Sequence, residues 1–242
     1  MGSQRTDAFN DFLSDFHQSD GATCSVSADQ GSRFAKAIAG DHNPLHDADA
    51  PRFCVPGDLL FALIIGHYGL AREIELTFKG MLRAEAPLSF PENPGPAFSI
   101  CGEGDREYVS VTMQDALETT PAGRLALVRA YVACSGQTFP DLLDPLLEAH
   151  GVMFNPDRPF VVYDSMQIQL LQPPQPDVSL QLEDSALKVE GKRGDARFDF
   201  VILQAGERIG HCTKQMVVSG LRDYDRDRMA ELIARYQQRR SA

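Results

Sequence analysis

The densest group of chemically active side chains lies in the segment AGDHNPLHDAD, residues 39–49. It holds two histidines and three aspartates: Asp41, His42, His46, Asp47 and Asp49. The Asn43-Pro44 dipeptide in its middle cannot continue a helix, so we expect a loop. Carboxylates and imidazoles are common proton-transfer groups in enzymes, which makes this loop the first place to look for function.

Three interpretations of the loop are open. It can be a polar turn, since Asn, Asp and Pro favour turns and cap nearby backbone groups. A metal site would use His42, His46 and an aspartate, but the Asn-Pro between the histidines prevents a helix from presenting them as an i, i+4 pair. The third interpretation is an acid–base centre. There an aspartate and a histidine, held by Asn43 and the rigid Pro44, bind one water between them.

A second element of such a centre follows at Pro56-Gly57-Asp58, where an apolar helix is predicted to begin. The first N–H groups of a helix have no partner within the helix, and the helix dipole favours negative charge there. Gly57 also lets a carbonyl approach the backbone closely. The combination of base, acid and oxyanion donor is that of an enolate-forming site.

Helices are predicted on both sides of the loop and near both ends of the chain. Residues 25–39 form a capped helix, with Ser27 as N-cap and Gln30 completing a capping box, and Gly40 ends it. Residues 57–70 are apolar nearly all round, which is typical of a core helix. Two amphipathic helices are predicted from apolar side chains at helical spacing: Phe9, Phe12, Leu13, Phe16 and Met229, Leu232, Ile233, Tyr236.

The remaining chain alternates with period two and is rich in β-branched and aromatic residues, which predicts strands. The predicted strands are 74–79, 86–90, 98–102, 108–116, 124–134, 161–171, 178–189, 196–204 and 208–219. A helix followed by an antiparallel sheet is an α+β arrangement, in which the sheet buries one face on that helix.

The second half is predicted to repeat the first. GDLLFALIIGHYGL at 57–70 aligns with PDLLDPLLEAHGVM at 140–153, and the same offset carries a predicted turn, Ala122-Gly123, onto Ala205-Gly206. This alignment makes 141–152 a second central helix. The polar loop has no counterpart in the second copy, so we expect a single site at the junction of the two units.

The stretch FAKAIAGDHNPLH, followed by Gly57 at the start of an apolar helix, resembles the signature of MaoC-like, R-specific enoyl-CoA hydratases. The wider stretch GDHNPLHDADAPRFCVPGDLLFAL looks still more like an uncharacterised bacterial family of MaoC-like proteins. The resemblance implies a hotdog fold, in which an antiparallel sheet wraps round a central helix, and with the repeat it implies a double hotdog. It also implies that Asp41 activates water, that His46 is its acid/base partner, and that Gly57 donates its N–H to a thioester oxygen.

On this interpretation the chain divides into four parts. They are an N-terminal helical extension (1–22), a first hotdog unit with the loop (23–138), a second unit without it (139–220) and a C-terminal helix (221–242).

The expected reaction is the reversible hydration of a trans-2-enoyl-CoA or a related acyl thioester. A thioesterase would direct the water from Asp41 or His46 to the thioester carbonyl, and a non-catalytic acyl-thioester-binding protein would keep only the channel. Arg52 could contact the phosphates of CoA. Cys54 could be a nucleophile, although a free cysteine beside an apolar helix is more often packing. No metal and no cofactor besides the CoA or acyl carrier of the substrate are expected.

Composition excludes several classes of partner. The 242 residues carry a net charge of −11 with no basic stripe, which argues against nucleic acid and anionic membranes. No apolar stretch is long enough to span a membrane, and the first residues do not read as a secretory signal. Five scattered cysteines predict reduced thiols and a cytoplasmic protein. A homodimer is possible.

Overall fold

The computed structural model describes residues 8–20, 23–157 and 159–241; the first seven residues and residues 21–22 of the predicted N-terminal extension lie outside it. The α-helices in these ranges are α1 (Ala8–Ser14), α2 (Ala28–Arg33), α3 (Gly57–Tyr68), α4 (Pro121–Gly136), α5 (Leu143–Ala149) and α6 (Arg226–Ser241). The strands are β1 (Gln18–Asp20), β2 (Thr23–Ser25), β3 (Leu70–Phe78), β4 (Leu88–Ser89), β5 (Ala97–Cys101), β6 (Glu107–Leu117), β7 (Val152–Met153), β8 (Val161–Leu170), β9 (Val178–Glu190), β10 (Arg193–Gln204), β11 (Glu207–Ser219) and β12 (Arg222–Asp223).

Ten of these strands form one antiparallel sheet, in the order β1-β2-β4-β5-β6-β3-β8-β11-β10-β9. β3 and β8 pair in its middle, where Leu76 lies opposite Met166. Read outward from this pair, the two halves have matching orders, β3-β6-β5-β4 and β8-β11-β10-β9. The predicted α+β class is therefore confirmed.

The helices α3 and α4 contribute most of the helical residues of the core. α3 is buried over most of its length, as its uniformly apolar sequence predicts, and α4 buries Leu127, Val128, Tyr131 and Val132. The two helices meet where the Phe61 ring contacts the Tyr131 ring edge-on, with 4.9 Å between centroids. An aromatic pair of this geometry adds about 0.5–1.5 kcal/mol to the burial of its area.

The predicted strand at 124–134 is wrong, because these residues belong to helix α4. Thr120 caps the helix by accepting a hydrogen bond from the Gly123 N–H at 3.1 Å, and Pro121 occupies the first turn. Counted from Leu127, the next buried side chains lie one, four and five residues further on, which is helical spacing. A short apolar run with β-branched residues fits both the period of a strand and that of a helix, and the N-cap at Thr120 decides for the helix.

The repeat alignment is wrong for the same reason. Pro121-Ala122-Gly123 is the first turn of α4, whereas Ala205-Gly206 joins the hairpin strands β10 and β11. The helix predicted at 141–152 is only the two-turn α5. The other eight predicted strands are confirmed as β3 to β6 and β8 to β11, with ends shifted by a few residues.

The helices near the two ends of the chain pack on the body, as predicted. α1 buries Phe9 and Leu13, and α6 buries Met229 and Tyr236. α1 lies tightly on α3, since a Cβ at Gly66 would be 2.5 Å from the Leu13 side chain. Within the described ranges, none of the helices combines the length and apolar character needed to cross a membrane.

Candidate functional site

The polar loop begins where the helix before it ends. Ser27 and Gln30 form the predicted capping box at the start of α2. The chain then continues through a π-helical turn, Phe34–Ala39, to Gly40, whose φ of 69° is left-handed and favours glycine. The Asp41 N–H donates to the Ala35 carbonyl at 2.8 Å, which fixes the point where the loop leaves the helix.

Side-chain to backbone hydrogen bonds hold the loop in one shape. Asp41 Oδ1 accepts from the Asn43 N–H at 2.9 Å, and Asn43 Oδ1 accepts from the Leu45 N–H at 3.1 Å. Pro44–His46 then forms a single 3₁₀ turn. The features of a polar turn are therefore present, and they position Asp41 and His46 on the same side of the loop.

Asp41 and His46 form a close pair. Asp41 Oδ2 lies 3.6 Å from His46 Nε2, and both side chains are half-buried. His46 Nδ1 lies 2.7 Å from the Cys54 carbonyl, which only accepts hydrogen bonds, so Nδ1 carries a proton. In neutral His46 the Nε2 atom is then an acceptor facing a carboxylate. A water beside the two atoms would satisfy both, because its two O–H bonds can donate to Oδ2 and Nε2.

Helix α6 supplies a third side chain, Tyr236. Its hydroxyl donates to Asp41 Oδ1 at 3.3 Å and accepts from the His42 N–H at 3.0 Å. Burial and the charge of Asp41 raise the pKa of Tyr236, so the phenol stays a donor. Arg239 of the same helix pairs with Asp47 at 2.7 Å and secures α6 over the loop. The sequence places Tyr236 only on an apolar helix face, and nothing local links it to Asp41.

A cavity of about 910 Å³ opens beside the pair, between the loop, the end of α4 and helix α6. Asp41 and Asn43 line it. The lining also includes exposed arginines, among them Arg52, and the buried side chains Ser135, Thr138 and Lys214, which we call the buried end of the cavity. The volume is within the usual range for a small-molecule site. Most of the remaining wall is apolar.

Gly57 does not line this cavity. It stands at the first position of α3, directly after Pro56, is partly exposed, and lies beside the Phe78 and Tyr163 rings. A Cβ there would lie 2.9 Å from Cδ1 of Tyr163 and 3.3 Å from Cε1 of Phe78. His46 is likewise absent from the lining residues in the described part of the chain, so Asp41 is the member of the pair that faces the cavity.

Cys54 contributes its backbone rather than its thiol. Its carbonyl accepts from His46, and its Sγ donates to the Val55 carbonyl at 3.4 Å. Burial raises the pKa of the Cys54 thiol to about 11. A thiol with this pKa is almost entirely protonated at neutral pH, which argues against a nucleophile.

We therefore expect Cys54→Ala to retain the activity of the wild type within about twofold, since it keeps the carbonyl that orients His46 and the thiolate is not the nucleophile. The measurement is the initial rate with crotonyl-CoA. Labelling of the native protein with iodoacetamide at pH 7, followed by peptide mass spectrometry, should leave Cys54 unmodified. A loss of activity of about a hundredfold or more would contradict this account.

Sequence reasoning missed a group of buried polar side chains behind the loop. Asp58 is fully buried in the first turn of α3, and Ser135, Thr138 and Lys214 are buried beside it. Burial raises the pKa of Asp58, opposed by the charge of Lys214 and by a hydrogen bond with Ser135. The alternation of side chains along β11 could have indicated the burial of Lys214, because Lys214 lies on the same strand face as the core residue Cys212.

No group of three His, Cys, Asp or Glu side chains placed to hold a metal occurs in the ranges that the structure describes. His42, one of the histidines of the metal interpretation, turns its ring edge-on to Tyr236, with 6.2 Å between centroids. The loop in this structure therefore presents an Asp–His pair.

Three solved structures show distant likeness to the chain. Acyl-CoA thioesterase II TesB2 from Mycobacterium marinum is 13% identical, with 89% of this chain and 98% of that chain covered and a TM-score of 0.44. A conserved protein of unknown function with a hot dog fold from Alicyclobacillus acidocaldarius is 10% identical, with 88% and 98% covered and a TM-score of 0.47. An N-terminal dehydratase from the difficidin assembly line is 10% identical, with 92% and 98% covered and a TM-score of 0.38.

Among curated proteins, none matches the sequence significantly. One family model does match, over residues 11–227, and its description is "Protein of unknown function (DUF3581)". This match covers most of the chain, including the loop and the cavity residues up to Met216, and it ends in the first turn of α6, before Tyr236. The chain belongs to the DUF3581 family.

Proposed function

We propose that the protein adds water reversibly across the double bond of a trans-2-enoyl thioester, with Asp41 and His46 as the acid–base pair. The observation that carries the proposal is the 3.6 Å separation of Asp41 Oδ2 and His46 Nε2, with Nδ1 bound to a carbonyl. A water placed beside this pair, off the line that joins the two atoms, has two acceptors within reach. Asp41 also lines a cavity large enough for an acyl group.

The reaction follows from this geometry. The water donates one O–H to Asp41 and the other to His46, so its oxygen lone pairs face away from both. As that oxygen bonds to the β-carbon, Asp41 takes one proton and the π electrons move through the α-carbon to the thioester oxygen. The proton held by the Asp41–His46 pair then passes to the α-carbon. One water thus supplies both new substituents, and the pair regains its starting state.

Gly57 remains the proposed donor to the thioester oxygen. Its N–H belongs to the first turn of α3, where the helix dipole favours the negative charge of an enolate. The Phe78 and Tyr163 rings lie beside the glycine, so in this proposal the thioester approaches its N–H along these two rings. In this proposal Asn43 keeps the loop rigid, and Arg52 meets the phosphates of CoA at the open end.

We further propose that the two halves of the sheet are two hotdog units. Their matching strand orders on either side of the β3–β8 pair support this, with α3 and α4 as the respective central helices. In this assignment the second unit begins at the cap of α4, earlier in the chain than the predicted boundary at 138–139. The cavity then lies where the units meet.

A thioesterase is the second candidate, and the same water supports it. An oxygen activated by Asp41 can attack the carbonyl carbon of a saturated thioester as readily as the β-carbon of an unsaturated one. The difference lies in which carbon the cavity holds against Asp41. Products distinguish the two, because hydration keeps the thioester and hydrolysis releases a free thiol.

The test is to incubate the protein with crotonyl-CoA and longer enoyl-CoAs and to follow enoyl absorbance and free thiol together. Loss of absorbance without thiol supports the hydratase, and thiol release supports the thioesterase. Thermal stabilisation by acyl-CoAs without turnover would identify a binding protein instead. If no enoyl thioester is turned over, the hydratase proposal is wrong.

A further inference from the structure

The buried end of the cavity is built around the ammonium group of Lys214. Only 4% of this residue is exposed, and its Nζ donates to the hydroxyls of Ser135 and Thr138, at 3.3 Å for Thr138. The Nζ also lies 4.5 Å from the centroid of the Tyr163 ring. Lysine is seldom buried to this extent unless its charge is paired.

Lys214 has no such pair in the part of the chain that the structure describes, where no carboxylate lies within ion-pairing distance of its Nζ. Asp58 is a buried acid that shares the Ser135 hydroxyl with Lys214 and interacts with the charge of Lys214 without forming an ion pair with it. Burial raises the pKa of Asp58, which favours its neutral form and weakens it as a counter-ion. A buried charge with incomplete pairing is costly, and an anionic ligand would relieve that cost.

The donors needed for an anion are available at this end. An ammonium group has three N–H bonds, and the hydroxyls of Ser135 and Thr138 accept two of them, which leaves one for a ligand. The Thr138 hydroxyl accepts from Lys214 and can donate its own proton to the same ligand. All three side chains line the cavity.

This buried end is also close to the Asp41–His46 pair. The end of α4 packs directly on the chain before the loop, since a Cβ at Gly136 would lie 1.9 Å from the Ala39 carbonyl oxygen. Ser135 and Asp41 are each within two residues of that contact. A ligand whose reacting carbons lie at Asp41 therefore needs only a short extension to reach Lys214.

We propose that Lys214, Ser135 and Thr138 form a carboxylate-binding site, and that the acyl group of the ligand carries a carboxylate distal to its thioester. The inference rests on the proposed function for the thioester itself. In this proposal the exposed Arg52 meets the phosphates of the carrier, Asp41 faces the reacting carbons, and the buried cation Lys214 binds the far end of the acyl chain. The preferred substrate class is the monothioester of a dicarboxylic acid.

The experiment compares glutaryl-CoA with valeryl-CoA by isothermal titration calorimetry. The two have acyl chains of equal length, and both are saturated, so neither can be hydrated. We expect glutaryl-CoA to bind at least about tenfold more tightly, as a charge-assisted hydrogen bond to a buried ammonium provides. Equal affinities, tighter binding of valeryl-CoA, or binding of neither would overturn the proposal.

Variants locate the preference. Lys214→Met removes the charge but keeps the length, and we expect it to bind the two thioesters equally. Lys192→Met, in the exposed turn before β10, is the matched control and should keep the preference. A preference that persists in a folded Lys214→Met protein would exclude this site, and the wild-type comparison stands if that variant does not fold.

The outcome is separable from that of the proposed reaction. Asp41→Asn should retain the preference for glutaryl-CoA, because Asp41 acts on the water and not on the distal carboxylate. Tighter binding of glutaryl-CoA than of valeryl-CoA, without hydration of any enoyl-CoA, would support the carboxylate site and contradict the hydratase proposal. Hydration of an enoyl-CoA, together with equal affinities for glutaryl-CoA and valeryl-CoA, would support the hydratase proposal and contradict the carboxylate site.

Discussion

Asp41→Asn should lower kcat/KM for the hydration of crotonyl-CoA by about 10²–10⁴-fold, the usual contribution of a general acid–base group. The amide oxygen can still accept from the Asn43 N–H and the Tyr236 hydroxyl, so the loop keeps its shape. What is lost is the basic oxygen that faces His46. The measurement is the initial loss of enoyl absorbance, with the thermal midpoint recorded alongside.

His46→Gln should have an effect of the same size, since glutamine can donate to the Cys54 carbonyl but cannot exchange the proton of the water. Asp49→Asn is the matched control, because Asp49 is exposed in the same loop and should leave the rate unchanged. If both site variants are as active as the wild type, the pair is not the catalytic centre. If all three variants lose activity together with thermal stability, the loop is only structural.

Gly136→Ala should destabilise the protein by about 3 kcal/mol, at the upper end of the usual cost of overpacking. A Cβ at Gly136 would lie 1.9 Å from the Ala39 carbonyl oxygen and 2.7 Å from the Gly40 carbonyl carbon. Both are backbone atoms, so no side-chain rotation can relieve the contact. The higher helix propensity of alanine, worth about 1 kcal/mol, is too small to compensate.

Urea denaturation of the wild type and the variant measures this loss in the free energy of unfolding. Gly95→Ala is the control, because no heavy atom lies within 4 Å of the position where its Cβ would be. We also expect Gly136→Ala to lose most of its hydration activity, since any shift that relieves the contact moves the residues just before Asp41. A variant of wild-type stability and activity would show that the end of α4 and the loop are not in such close contact.

The local shape of the site was predictable because short-range signals specify it. Gly40, Asn43 and Pro44 each restrict the backbone within a few residues, and the capping box at Ser27 sets the start of the preceding helix. The same is true of the buried helix α3, whose sequence is apolar on every side. These features depend on neighbours in sequence, so one sequence is enough to identify them.

The partners of the site were not predictable in this way. Tyr236 reaches the loop from a distant part of the chain, and Lys214 reaches Ser135 in the same way. No local sequence pattern relates either residue to its partner. The error at 124–134 has a related cause. Its short apolar run fits both a strand and a helix, and Pro121-Ala122-Gly123 is typical both of a turn between strands and of the first turn of a helix capped by Thr120. The position of the Tyr163 ring beside Gly57 likewise depends on the pairing of β3 with β8, more than a hundred residues further along the chain.

The contact of Tyr236 with Asp41 has a consequence for protein synthesis. The two residues are 195 positions apart in sequence. The ribosome adds about 5–20 residues per second, so the loop is made at least roughly ten seconds before its tyrosine. During that interval a nascent chain exposes an aspartate–histidine pair without its cover. Full assembly of the site therefore waits until α6 has left the exit tunnel, and a nascent chain that stalls before residue 236 lacks it.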